Sequence, residues 1–186
     1  MSNINNYTPP IFLTTQEIVA ASRRTLRQAI GKRLTASWVG WNDRENACCE
    51  ALPVILEIGG NHYEICWTKE ADCALSQDTI NTQKMFYCYG SEEFPGVWKE
   101  NALPEMRQVL GQILTGMELI EAEVTIILEN FVRSYWVPNG LLFKFGESGL
   151  YIYNGFDLNG ITGQPPSGAE FRSVEIDLSN CNALSA

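Results

Sequence analysis

"NGLLFKFGESGLYIYN", residues 139–154, alternates as a strand, turns on glycines, and alternates again. Leu141, Phe143 and Phe145 fall on one side, with Leu142 and Lys144 on the other. That is the period of two expected of a strand with one face in a core. "PVILEIGGNHYEICW", residues 53–67, has the same layout eighty-seven positions earlier. There Val54, Leu56 and Ile58 alternate with Ile55 and Glu57. The turns read as Gly59-Gly60-Asn61-His62 and Gly146-Glu147-Ser148-Gly149, rich in residues that tolerate positive φ. Tyr63 and Ile65 then stand where the later copy has Leu150 and Ile152.

The match extends upstream. "AIGKRLTASWVGW" (29–41) aligns with "LTGMELIEAEVTI" (114–126), placing Gly31 on Gly116, Leu34 on Leu119 and Val39 on Val124. A rival alignment of "LRQAIGKRLT" with "MRQVLGQILT" has more identities but agrees less well with the hairpin offset. A helix is expected before each glycine and a strand after it. Thr14-x-x-Glu17 is a capping-box pattern, and Asn101 with Pro104 reads as the start of a second helix. Leu103, Met106, Leu110, Ile113, Leu114 and Met117 give that second helix an apolar face.

The predicted fold class is therefore α+β. It is an internal duplication of a helix plus a three- or four-stranded antiparallel meander, with the two units sharing a core or a sheet. The boundaries are a loose N-terminal arm at 1–13, a first unit at 14–90, a connector at 91–100 and a second unit at 101–186. Together they are expected to form one compact domain.

Charge is divided unevenly. Residues 1–85 hold 8 Lys/Arg and 9 Asp/Glu, whereas residues 86–186 hold 5 and 13. So acidic a second half argues against nucleic acid as a partner and fits a basic protein partner. Glu118, Glu121, Glu123 and Glu129 form an acidic series, in which Glu121 and Glu123 share one strand face opposite Val124 and Ile126. Those two are the candidate partner contacts, together with Trp38. In "SWVGWNDREN" Val39 and Trp41 can face the core, which turns Trp38 to the other face, either exposed as an anchor or covered by a helix.

No apolar run approaches a membrane span, and the N-terminus lacks the pattern of a signal peptide. The six cysteines, with no C-x-x-C pair and an adjacent Cys48-Cys49, read as reduced thiols of a cytoplasmic protein. No metal, cofactor or catalytic set is expected. His62 is the single histidine and would need an orienting carboxylate and a nucleophile in reach to act as a base. Neither a phosphate-binding loop nor a nucleophile elbow occurs.

In broad layout, the helix-Gly-strand passages and the two hairpins resemble those of the small acidic immunity proteins of bacterial toxin systems. The resemblance implies a stoichiometric binder or inhibitor in the bacterial cytoplasm, and it carries over no site residues. The expected function is a non-enzymatic binding or inhibitor protein acting on a cationic protein partner. One alternative is a small-molecule-binding module with an aromatic-lined pocket between helix and sheet. Another is an enzyme built on His62 and the thiols.

Overall fold

The computed structural model describes residues 4, 7–69, 71–88, 91–128, 131–156 and 158–178. The first sheet contains β1 (Ile11–Phe12), β2 (Leu34–Asn42), β3 (Ala47–Cys48), β4 (Val54–Ile58), β5 (Asn61–Thr68), β6 (Asp72–Gln77), β7 (Phe86–Tyr87) and β8 (Pro95–Glu100). Its order is β1-β6-β5-β4-β2-β8-β7, with β3 paired to β2. The second sheet contains β9 (Gly116–Leu128), β10 (Phe131–Phe145), β11 (Ser148–Asn154), β12 (Asn159–Thr162) and β13 (Phe171–Glu175), in the order β12-β11-β10-β9-β13. The helices are α1 (Thr15–Leu26), continued by a 3-10 turn over Arg27–Ala29, and α2 (Pro104–Val109).

The α+β expectation is therefore corrected. Among the described residues 51% are strand and 13% helix, in two unequal antiparallel sheets of eight and five strands. The chain is mainly β, and balanced helix-plus-meander units are not what it builds. The largest single loss is in the second helix, which has six residues. Its expected continuation, residues 111–114, instead pairs its backbone with residues 31–34. Gly111 N–H donates to Leu34 O, Leu34 N–H to Gln112 O, Leu114 N–H to Lys32 O and Gly31 N–H to Leu114 O. Four tertiary backbone bonds outweigh the helix propensity of one amphipathic stretch. Leu110 and Ile113, expected on a buried face, are exposed. Asn101 does not cap α2; its side-chain oxygen accepts from the backbone and hydroxyl of Ser37, both at 3.0 Å.

The two hairpins hold their expected faces. Val54 pairs with Ile65 and Leu56 with Tyr63, while Leu141 pairs with Ile152 and Phe143 with Leu150. All eight are buried in the core between the sheets. The turns are tighter than the four residues expected. Ile58 pairs with Asn61 and Phe145 with Ser148, leaving two-residue loops. Gly59 and Gly60 both have positive φ (63° and 85°), as a type I′ turn requires, and Gly146 leads the second loop. The expected capping box on α1 is present, with Thr14 and Glu17 bonding reciprocally.

The core lies between the sheets and is closed by Ile18, Ala21 and Leu26 of α1 and by Met106 and Val109 of α2. A smaller cluster covers the outer face of the first sheet. Trp38, Ile55, Phe86 and Trp98 gather there, and Ile4, Tyr7 and Phe94 pack against them. The outer face of the second sheet carries Ile120, Leu142 and Tyr151, flanked by Tyr153 and Phe171. Large rings on these outer faces lie over glycines of the neighbouring strand: Tyr151 over Gly140, Tyr153 over Gly160 and Phe86 over Gly96.

Two of the six cysteines are not reduced thiols. Cys49 and Cys88 form a disulfide with a Cα–Cα distance of 6.6 Å, within the normal range. It ties the loop before β4 to the segment after β7, across the outer cluster. Cys48, Cys66 and Cys73 are free. Burial pushes the Cys48 and Cys66 thiols up to about 11 and Cys73 well above its usual range. No helix among the described residues is long and apolar enough to cross a membrane.

Candidate functional site: a protruding apolar hairpin

β9 and β10 have 13 and 15 residues, more than their neighbours can cover. β13 pairs with β9 only from Glu118 to Ala122, and β11 pairs with β10 only from Gly140 onward. From Trp136↔Glu123 out to Phe131↔Leu128 the two strands pair with each other, and past a last outward bond from Glu123 N–H to Glu170 O they pair with each other alone. The result is a two-stranded arm that stands off the sandwich, with both outer edges unpaired among the described residues.

The composition of the arm is unusual for such a position. Facing residues of an antiparallel pair share a side. One side carries Val124/Tyr135, Ile126/Arg133 and Leu128/Phe131; the other carries Glu123/Trp136, Thr125/Ser134 and Ile127/Val132. Ile127 is 74% exposed, Val132 68%, Leu128 62% and Phe131 50%. Val124, Ile126 and Tyr135 are exposed as well. Arg133 is the one charged residue in the described stretches 124–128 and 131–137. Alternation with apolar residues on both sides belongs to a strand covered on both faces, and here neither is covered by the described residues. A monomer rarely leaves so large a contiguous apolar surface in water.

The base of the arm is rigidly built. Glu121 is 3% exposed; it accepts from Arg172 Nε at 2.6 Å and from the hydroxyl of Thr15 at the start of α1. The Arg172 guanidinium also lies 4.4 Å from the ring centroid of Trp136. Glu123 N–H donates to Glu170 O at 2.7 Å, and the Thr125 and Ser134 hydroxyls bond across the arm at 2.7 Å. The ladder slips at Pro138/Gly140, where the arm joins the sheet.

The residues named from sequence are not brought together. Glu121 is buried and fully engaged, Glu123 is exposed at the base of the arm, and Glu129 lies outside the described residues. Trp38 sits on the opposite sheet and is 8% exposed. What covers Trp38 is the outer cluster and His62, whose ring lies 4.8 Å away, and not a helix. His62 does have a carboxylate: Nε2 is 3.3 Å from Glu57 Oε2, and Glu57 also accepts from the Thr35 hydroxyl. This pair lines an open cleft of about 540 Å³ with Asp78, Thr79 and Gln83. The hydroxyls that line it are those of Thr79 and Thr82, and Thr79 donates its own to the buried Glu64 carboxylate at 3.0 Å. Among the described residues no group of three or more His, Cys, Asp or Glu is placed to hold a metal.

A second cavity, about 550 Å³, opens on the outer face of the second sheet, beside the root of the arm. Tyr153, Phe156, Phe171 and Pro166 line it, and Tyr151 donates its hydroxyl to Asn139 Oδ1 at 2.6 Å in its floor. The arm was legible in part. "VTIIL" and "FVRSYWV" are β-rich runs on either side of Glu129-Asn130, a hairpin signal. What the sequence did not show is that, among the described residues, no other element covers them.

No family model matches this chain, and neither a curated protein nor a solved structure matches it significantly.

Proposed function

We propose that this chain is a non-enzymatic binding protein that works through the β9–β10 arm. The observation that carries the reading is the set of seven large apolar side chains exposed on both faces of one hairpin. Apolar surface of this extent is stabilised by being covered, at roughly 25 cal/mol per Å² removed from water. The rigid root holds the arm in place before binding, so little ordering is left to oppose association. The carboxylate face read from the sequence contributes Glu123 alone, because Glu121 is committed to Arg172 and Thr15. The contact is thus apolar first and acidic only at its margin. A second reading, a small-molecule module, is favoured by the aromatic cavity beside the arm.

The test is chemical cross-linking in a lysate and with purified chain, comparing wild type with Leu128→Ser/Phe131→Ser. Cross-linked products are expected for wild type and lost in the variant, with thermal unfolding little changed because both positions are exposed. Products indifferent to the double substitution would overturn the reading.

A further inference from the structure

We infer that the occupant of the arm is a second copy of this chain, and that two arms lie antiparallel with the tip of each in the other's outer-face cavity. The inference rests on the arm being a binding surface and names what binds. Four observations carry it.

The first is continuity. Val124/Tyr135 and Leu128/Phe131 lie on the same side of the sheet as Ile120, Tyr151 and Phe171, so one apolar strip runs from the tip of the arm to the cavity at its root.

The second is length. Val124 lies midway along β9 between Leu128 at the tip and Ile120 at the level of the cavity. A two-fold axis beside Val124 therefore sets each tip at the other copy's Ile120. The strip is self-complementary, as an isologous contact demands, and a cavity of about 550 Å³ has room for the Leu128 and Phe131 side chains.

The third is area. Five of the seven exposed apolar side chains, Val124, Ile126, Leu128, Phe131 and Tyr135, lie on the side turned to the second copy, and Phe156 at the cavity adds to them, toward the ~800 Å² per partner of a standard interface.

The fourth is charge. Each chain carries a net −9. The arm is where two such molecules can meet with little repulsion, since beyond Glu123 at its base Arg133 is the one described charge. In the antiparallel arrangement Arg133 comes to the level of the second copy's Ala122, beside Phe171 and its neighbour Glu170, an aromatic face and a carboxylate.

A lipid surface fits less well. No basic cluster flanks β9 and β10 in the sequence, and the arm's unpaired edges would be costly in hydrocarbon.

The experiment is sedimentation equilibrium on the purified full chain up to about 100 µM, where a micromolar complex is saturated. Wild type is expected to approach twice 20.8 kDa. Phe131→Asp at the tip and Phe156→Asp at the cavity, where Phe156 is 96% exposed, are each expected to weaken the dimer at least tenfold with unchanged circular dichroism. An equimolar mixture of the two variants should recover association, because the heterodimer retains one intact tip and one intact cavity facing each other. A wild type that stays at 20.8 kDa overturns self-association, and so does a dimer indifferent to Phe131→Asp. A dimer lost with Phe131→Asp but kept with Phe156→Asp overturns the seating of the tip in the cavity. If the purified chain is monomeric while arm-dependent cross-links still form in a lysate, the binding reading stands and the second copy is excluded.

Discussion

Asn159 of the second sheet accepts the backbone N–H of Trp67 in the first at 2.6 Å. Its amide nitrogen donates to the carbonyls of Glu50 and Leu52 at 2.9 and 3.0 Å. One buried side chain thus joins β5, β12 and the loop before β4, and the Trp67 indole adds a bond to Ile152 O at 3.0 Å. Asn159→Ala strands the buried Trp67 donor and the Leu52 acceptor, while Glu50 O keeps the backbone N–H of residue 159 at 2.7 Å. A loss of about 3 kcal/mol is expected in urea unfolding. Asn159→Asp should do no better, since it keeps the acceptor, loses both donors and buries a charge. A change under about 0.5 kcal/mol in both variants would count against this role.

The Cys49–Cys88 disulfide closes a sequence separation of 39 residues. Chain entropy alone values such a closure at about 4 kcal/mol, an upper figure where the outer cluster already holds the segment. Cys88→Ser is expected to lower the melting temperature, and reductant should lower that of wild type to the same level. A thiol assay of the denatured, unreduced chain should find no more than four of the six cysteines reactive. Six reactive thiols would show that the bond does not form.

Glu121 and Arg172 make a one-sided pair, the acid buried and the base half exposed. Arg172→Met removes the cation and leaves a carboxylate with only the Thr15 hydroxyl, at a cost of about 2 kcal/mol after allowing for solvent around the arginine. Arg172→Met combined with Glu121→Gln should recover part of that loss. A double-mutant cycle with no coupling would show that the pair contributes nothing to the root of the arm.

Glu17 accepts from the backbone N–H groups of Leu13 and Thr14, and these bonds hold its carboxyl below the usual carboxylate range. A depressed folded value means that the contribution is present above the unfolded value and lost as pH falls through the folded one. The protection factor of the amides in the first turn of α1, taken against their intrinsic rate at each pH, should therefore fall as the solution is acidified below the usual glutamate range. Glu17→Gln should flatten that dependence. An α1 whose first-turn exchange responds to acid identically in both proteins would remove Glu17 from the cap.

The hairpins, their faces and the α1 cap were legible because each is local. Alternation, a pair of glycines and a Thr-x-x-Glu spacing act within a few residues of chain. What was not legible depends on distant partners. β8, inside the stretch read as a connector, contains Pro95-Gly96 and ends in Lys99-Glu100, a loop-like composition. It becomes a strand because β2 offers it an edge, and Lys99 then lies 3.7 Å above the Trp41 ring. α2 is cut short by bonds to residues 31–34, some eighty positions away. Glu121 alternates as a surface residue would, and only the folded positions of Thr15 and Arg172 turn it inward. The disulfide has no spacing signature at all.

The rings seated on glycines have a consequence for how this sequence can change. A Cβ on Gly140 would collide with Tyr151, and one on Gly160 with Tyr153. Each glycine and its tyrosine therefore behave as one heritable unit split between two strands. Alanine at the glycine is tolerable only after the ring has shrunk, and a smaller ring leaves a gap until the glycine has grown. Drift at these sites must pass through a poorly packed intermediate, so across diverged descendants of this chain the two positions should change in pairs or stay as they are.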